Sequence, residues 1–425
     1  MKRSKTYILV GLIFISLTLD AQDINSPFSR FGLGQLYGQN ISTQLQSMGG
    51  ISLAVSDPYI IDMANPASYA SFNSETMVFQ TGILGGTKSL KNTLLSTSSN
   101  YATLSHVSIG FPVVKWWRMS LGATPYSKTG YNTQVSKTVE GYGNILNNRW
   151  GKGGLNRYYI GNGFRLGKNL RLGVNVNYLS GNISLYNLAY QPDSAFLLGT
   201  KVENYTRVSD FIYDWGLQYD IHFKEKKKLT IGLVYSNKIN AKAYRSTLST
   251  TLTGGYGTTP DKTYDTIQYN PDERGNIVIP EHYGGGLSYS DEGKWLIGAD
   301  FQMQKWSKFA YFGTSESLQN DWKIAVGGEY TPNHSSISPL RKRITYRMGA
   351  RYNRTYLYLN GSSISELAFS TGVKFPFKRS RTNINLGIEV GSRGTLKNNL
   401  IKETFFNFSF GINIVEHWFY KRKYR

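Results

Sequence analysis

Beyond residue 75 the chain places an apolar residue at every second position, in one stretch after another. Leu170, Leu172, Val174, Val176 and Tyr178 alternate with Arg171, Gly173, Asn175 and Asn177. Successive side chains of a strand point to opposite faces, so such a run has one apolar wall and one wet or crowded wall. The device recurs in Phe211, Tyr213, Trp215, Leu217, Tyr219, Ile221 and Phe223, in Trp295, Ile297, Ala299, Phe301 and Met303, and in Phe406, Phe408, Phe410, Ile412 and Ile414. Each run is about ten residues long, the length of a tilted strand that crosses a bilayer. Polar breaks at 167–169 and 224–228 predict tight turns, and 238–276, 304–321 and 330–343 predict long loops.

The pattern therefore predicts an all-β chain, a transmembrane antiparallel β-barrel of about 14 strands, within a range of about 12 to 16. A soluble propeller would repeat at about 40 to 50 residues, and the chain has no such period. Trp116, Trp117, Trp150, Trp306 and Trp418 stand at strand ends, where a barrel meets water. Gly173, Gly216, Gly232, Gly298, Gly349, Gly387 and Gly411 recur on the polar wall, the lumen side of a barrel. Glycine there serves either strand bending and aromatic packing or a lumen partly filled by a separate segment, and the sequence leaves both readings open.

Composition agrees with strands: 31 Tyr, 21 Phe, 8 Trp and 44 Gly favour pleated surfaces and turns. The absence of cysteine excludes disulfides, thiolate metal sites and a cysteine nucleophile. Lys and Arg number 48 against 27 Asp and Glu, a formal charge of +21, but the cations are scattered instead of forming one stripe. That distribution argues against a nucleic-acid partner and suits contact with outer-membrane lipid and lipopolysaccharide. The five histidines, His106, His222, His282, His334 and His417, have no metal-ligand spacing, and no Gly-x-Ser-x-Gly elbow occurs. The stretch 85–89 fails as a phosphate loop because Thr87 stands where that loop needs glycine. No catalytic residue, metal or cofactor is expected, and the chain is expected not to be an enzyme.

The N-terminus opens with Met1-Lys2-Arg3-Ser4-Lys5, an apolar run from Tyr7 to Leu19 and the small-residue site Asp20-Ala21-Gln22. An apolar run of about 13 residues is too short for a spanning helix of about 20, so residues 1–21 read as a secretion signal. Residues 22–75 follow, and 76–425 form the expected barrel in the outer membrane. Within the first of these, Ser47 to Phe72 is rich in glycine and proline yet apolar, and it contains Asn65-Pro66-Ala67.

An Asn-Pro-Ala stretch set before about fourteen amphipathic strands resembles the long-chain fatty-acid transporter family of outer-membrane barrels. Ser26-Pro27-Phe28-Ser29-Arg30-Phe31-Gly32-Leu33-Gly34, Ser47-Met48-Gly49-Gly50 and the closing Trp418-Phe419 look like a branch of that superfamily in Bacteroidota-type outer membranes. The resemblance implies that residues 22–75 are a hatch folded inside the lumen, with Met48, Gly49, Gly50, Asn65, Pro66 and Ala67 as its gating positions. It implies passive uptake of a hydrophobic or amphipathic small molecule. It also resembles barrels of type IX secretion machinery, which implies as an alternative a non-transporting scaffold or shuttle that binds a secretion-system protein.

Overall fold

The structure, a computed structural model, describes residues 26–418 apart from 38–41, 142, 193–197, 225, 254–261, 334, 336–337 and 379. The expected secretion signal and the basic tail at 421–425 lie outside the described residues. A two-residue strand, β1 (Gln35–Leu36), precedes the wall. The wall opens with β2 (Thr76–Lys91), β3 (Ser96–Val114), β4 (Trp117–Val139), β5 (Gly143–Leu166), β6 (Leu170–Tyr190) and β7 (Gly199–Lys224). Next come β8 (Lys227–Ser236), β9 (Ile239–Thr253), β10 (Lys262–Ile279), β11 (His282–Asp291) and β12 (Trp295–Gln304). Two short strands, β13 (Ala310–Tyr311) and β14 (Thr314–Ser315), lead to β15 (Asp321–Tyr330), β16 (Thr345–Leu359), β17 (Ser362–Pro376), β18 (Asn383–Gly394) and β19 (Lys402–His417).

Every pairing is antiparallel, and β19 pairs with β2 along its whole length, so the sheet closes on itself. Strands β8 and β9 are two halves of one bent strand, as are β10 and β11. At one end β7 pairs with β8 and β8 with β11; at the other β7 pairs with β9 and β9 with β10. The closed ring has 14 strands. Pairing of β19 with β2 leaves no free edge at the seam of that ring, the condition for a sheet to sit in hydrocarbon. Among the described residues no helix is long and apolar enough to cross a membrane.

The alternation read from sequence sorts the two faces as expected. Phe211, Tyr213, Trp215 and Tyr219 point outward and are exposed, as are Ile297, Phe301, Phe406 and Phe408. Their neighbours Asp214, Gln218, Asp300 and Asn175 point inward and are buried. An outer wall this apolar would be an aggregation surface in water, and it matches a lipid solvent instead.

Strand length varies around the ring. Strands β11, β12 and β15 have 10 residues each, whereas β5 has 24 and β7 has 26. Since about ten residues suffice for a bilayer, β4 to β7 and the β9–β10 hairpin project well past the apolar belt at one end. This corrects the expectation of a long loop over 238–276, where β9 and β10 pair from Ile239–Ile279 to Thr253–Lys262. Beyond the belt both faces of β10 are wet, so the apolar alternation that marks a strand is gone. The segment 330–343, expected among the long loops, lies at the opposite end, with the tight turns 115–116 and 167–169. The loop expected over 304–321 is present, carrying a 3-10 turn at Trp306–Lys308 and the short β13 and β14.

Candidate functional site

The segment from Ser42 to Phe72 packs against the inner faces of most wall strands. It starts with one helical turn, Thr43–Gln46, and reverses through Gly49 and Gly50, whose φ values of +70° and +79° favour glycine. It ends in a 3-10 helix, Pro66–Ser71, capped by Asn65, whose Oδ1 accepts from the Ala67 amide at 3.1 Å. Proline at the first helical position and asparagine at the cap explain why the helix begins there.

The wall glycines mark the path of this segment. A Cβ added at Gly411 would lie 2.8 Å from Thr43 Oγ1, and one at Gly387 2.5 Å from Ser47 Oγ. At Gly349 it would meet the Gly49 nitrogen at 2.2 Å, at Gly298 the Ile51 Cδ1 at 3.0 Å, and at Gly232 the Leu53 carbonyl oxygen at 1.9 Å. At Gly216 it would meet Asn65 Oδ1 at 2.1 Å and at Gly173 the Pro66 carbonyl carbon at 2.2 Å. All seven glycines singled out in the sequence thus make room for one segment. Of the two readings the sequence left open, these contacts fit a lumen partly filled by a separate segment.

Polar side chains of the wall satisfy the segment's irregular backbone, as burial demands. Asp300 Oδ2 accepts from the Ser52 and Leu53 amides at 2.7 and 3.0 Å. The Leu53 carbonyl accepts from Asn65 Nδ2 at 2.6 Å and Gln218 Nε2 at 3.0 Å. Asn175 Nδ2 donates to the Met63 carbonyl at 2.9 Å, and Tyr69 Oη donates to Asn175 Oδ1 at 3.1 Å. Across the barrel, the Gly49 amide donates to Ser370 Oγ at 2.8 Å and the Ile61 amide to Gln80 Oε1 at 3.0 Å. The expected gating residues fall in two places: Met48 and Gly49 pack on β15 and β16, and Asn65 and Pro66 pack on β6 and β7. Of the six, Gly50 lines the internal cavity described below.

A second internal element was missed by pattern reading. Strand β3 pairs with β4 only from Val107–Ala123 to Val114–Trp117, although both strands run on past that point. Two bulges sit at the parting, leaving Ser105 unmatched against β2 and Tyr126 unmatched against β5. Bulges bend and twist a strand, and Pro125 brings no amide to the ladder, so β3 and β4 diverge. The wall thus has a lateral gap near the upper margin of the apolar belt.

Residues 26–37 line that gap from inside. Gln35 and Leu36 of β1 lie in register with Lys128 and Ser127 of β4, and the Tyr37 amide donates to the Tyr126 carbonyl at 3.0 Å. The Ser26 amide donates to the Gly130 carbonyl at 2.7 Å, and on the β2 side Lys88 Nζ donates to Gln35 Oε1 at 3.0 Å. Phe28 and Leu33 are anchored in the largest apolar cluster with Trp306, Phe309 and Tyr356. The sole sequence signal for this element is the stretch from Ser26 to Gly34, which has no strand periodicity.

Glu316, on the loop beside this cluster, accepts from the Gly32 amide at 2.9 Å. Burial pushes its carboxyl above the ordinary value of 4.5, and the Gly32 N–H and Arg30 pull it partly back. A folded state that holds a proton more tightly than the unfolded chain is favoured at low pH and loses that advantage as pH rises through the raised value. Glu316→Gln keeps the acceptor and cannot ionise. It is expected to flatten the fall of the thermal midpoint above about pH 4.5 and to be the more stable form at about pH 8, as a thermal-melt series would show.

Between the two internal elements lies a cavity of about 280 Å³. Toward the gap it is lined by Leu36, Tyr37, Leu84, Tyr101 and Tyr126, and its floor includes Gln46, Ser47 and Gly50. The opposite wall is charged and includes Asp214, Lys323, Arg351 and Glu366. Arg351 pairs with Glu366 and Glu389 at 3.0 Å each, and Arg393 Nε pairs with Glu366 at 2.7 Å. Asn177 Oδ1, His282 Nδ1, Gln302 Nε2 and Asn353 Oδ1 on the cavity wall have no hydrogen-bond partner among the described residues. The cavity is amphipathic, with an apolar side at the gap and a polar side across from it. Among the described residues no cluster of His, Asp or Glu has metal-binding geometry.

A family model described as BamG matches residues 3–425. No curated protein matches the chain in sequence. Solved structures share the fold: the CymD monoaromatic hydrocarbon channel superimposes with a TM-score of 0.60 at 13% identity, over 92% of this chain and 100% of its own. The Pseudomonas putida toluene transporter TodX gives 0.60 at 15% identity, over 91% and 100%. A Pseudomonas aeruginosa FadL homologue gives 0.56 at 13%, over 90% and 99%.

Proposed function

The chain belongs to the BamG family, and from that premise we propose that it is an outer-membrane barrel for passive uptake of small amphipathic molecules, entering from the side. The observation that carries the proposal is the parting of β3 and β4, with an amphipathic cavity directly behind it. The solute's apolar part rests on Leu36, Leu84 and Tyr101, and its polar part meets the charged wall. The hydrocarbon channels with the same fold support this direction by analogy of architecture.

Axial flow of water and ions is opposed by the segment 42–72, whose backbone lies close against wall glycines. Onward passage from the cavity requires that segment to yield, and Met48, Gly49 and Gly50 are the expected moving part. Gly50 borders the cavity, and a Cβ there would meet nothing within 4 Å. Asn65, Pro66 and Ala67 are the fixed part, held against β6 and β7.

The test is selectivity in proteoliposomes. An amphipathic fluorescent solute is expected to enter at least tenfold faster than through protein-free vesicles, while small ions show no conductance in planar bilayers. Rates equal to those of empty vesicles, with or without ion conductance, contradict the proposal.

A further inference from the structure

Away from the lumen, the turn between β3 and β4 and the turn between β5 and β6 form one corner of the barrel rim. The Arg165 amide donates to the Trp116 carbonyl at 2.8 Å, which ties the two turns together. The corner carries Lys115, Arg165 and Lys168, all exposed. Neither turn contributes a carboxylate, and none of the three cations has an ion-pair partner among the described residues. Cations on neighbouring turns differ: Lys228 approaches Asp220 and Lys294 approaches Asp291, each at 4.0 Å.

Directly beside these cations the rings of Trp116, Trp117 and Phe164 stack, with centroids 6.1 to 6.4 Å apart. Val113, Val114 and Leu166 are exposed next to them and continue the apolar belt of the wall. Trp117 Nε1 donates to Asn162 Oδ1 at 3.0 Å, which fixes its ring against the barrel. Amphipathic indoles favour the headgroup level of a bilayer, and cations just beyond them meet lipid phosphates.

We infer that this corner is a binding site for an anionic glycerophospholipid of the leaflet at the tight-turn end. Its phosphate lies among Lys115, Arg165 and Lys168, its glycerol at the Trp116 edge, and its acyl chains along Val113, Val114 and Leu166. Continuity of the patch with the lipid-facing belt favours a lipid over an acidic protein, which would have to cover apolar wall already in contact with hydrocarbon. The inference needs the barrel to be in a membrane but not to transport anything.

The experiment is lipid retention. The barrel is placed in nanodiscs of equal phosphatidylcholine and phosphatidylglycerol, released into mild detergent, and its bound lipids are counted by native mass spectrometry. Wild type is expected to retain phosphatidylglycerol over phosphatidylcholine by about fivefold, the effect of roughly one basic residue at a membrane surface, or more. Lys115→Gln/Lys168→Gln, which removes no internal hydrogen bond, is expected to reduce that preference at least threefold. Lys91→Gln/Lys137→Gln removes the same charge at the other end and is expected to leave it unchanged. Equal loss in both doubles, or no preference in wild type, overturns the site; heat-modifiable migration on gels confirms that each variant is a folded barrel.

Discussion

Gly232→Ala is expected to unseat the internal segment while leaving the wall closed. An alanine methyl at that position would lie 1.9 Å from the Leu53 carbonyl oxygen, a backbone atom that also accepts from Asn65 and Gln218. The clash cannot be relieved by a rotamer change, so Leu53 must move and three hydrogen-bonding groups move with it. Overpacking typically costs 1–3 kcal/mol, and with fixed backbone on both sides a cost of about 3 kcal/mol is expected. Gly285→Ala, in the adjacent β11, is the matched control, because its methyl would make only ordinary contacts, with the Leu233 side chain at 3.5 Å and the Gly232 carbonyl oxygen at 4.0 Å. Alanine in a strand interior is otherwise better than glycine, so the control is expected to be neutral or slightly stabilising. The readouts are hydrogen exchange over 51–66 and bilayer conductance, both rising in Gly232→Ala and unchanged in Gly285→Ala. Equal behaviour of the two variants contradicts the packing described for the lumen.

The wall was legible in sequence where lipid makes alternation necessary. From Phe211 to Phe223 every outward residue is apolar because hydrocarbon lies on one side and a polar lumen on the other. The same chain stops alternating once it leaves the belt: Tyr264, Ile267 and Tyr269 of β10 are all exposed among polar neighbours, and the strand reads as loop. The seven lumen glycines announced that something was close, but only pairing register shows that each faces a different part of one segment. Of the six residues expected to gate, Asn65 and Pro66 pack against β6 and β7, Met48 and Gly49 against β15 and β16, and Gly50 borders the cavity. The lateral gap was illegible because it is a pairing that fails to form, with Pro125 as its one local sign. The charged wall of the cavity was hidden for a related reason: Arg351, Glu366 and Glu389 are unremarkable in three separate strands, and strand register makes them neighbours.

Lateral entry makes the second large-effect expectation. Leu36 and Ser127 face each other across β1 and β4, and the neighbouring Tyr37–Tyr126 pair carries the backbone hydrogen bond. Leu36 and Ser127 are therefore a non-hydrogen-bonded pair, whose Cα separation of about 4.5 Å falls within disulfide range. The chain has no cysteine of its own, so Leu36→Cys/Ser127→Cys can form one bond only. Oxidation would fasten the internal strand across the gap without touching segment 42–72 or the charged wall, and reduction would release it. Either single cysteine variant is expected to transport at one rate under both conditions, since neither can form the bond.

The decisive measurement is the rate at which an amphipathic fluorescent solute enters proteoliposomes containing that double-cysteine barrel, before and after reduction. Entry at the side requires the oxidised protein to transport at least tenfold more slowly than the reduced one, with full recovery on reduction. Equal rates in the two states, at a level above empty vesicles, would mean that the solute does not pass between β3 and β4.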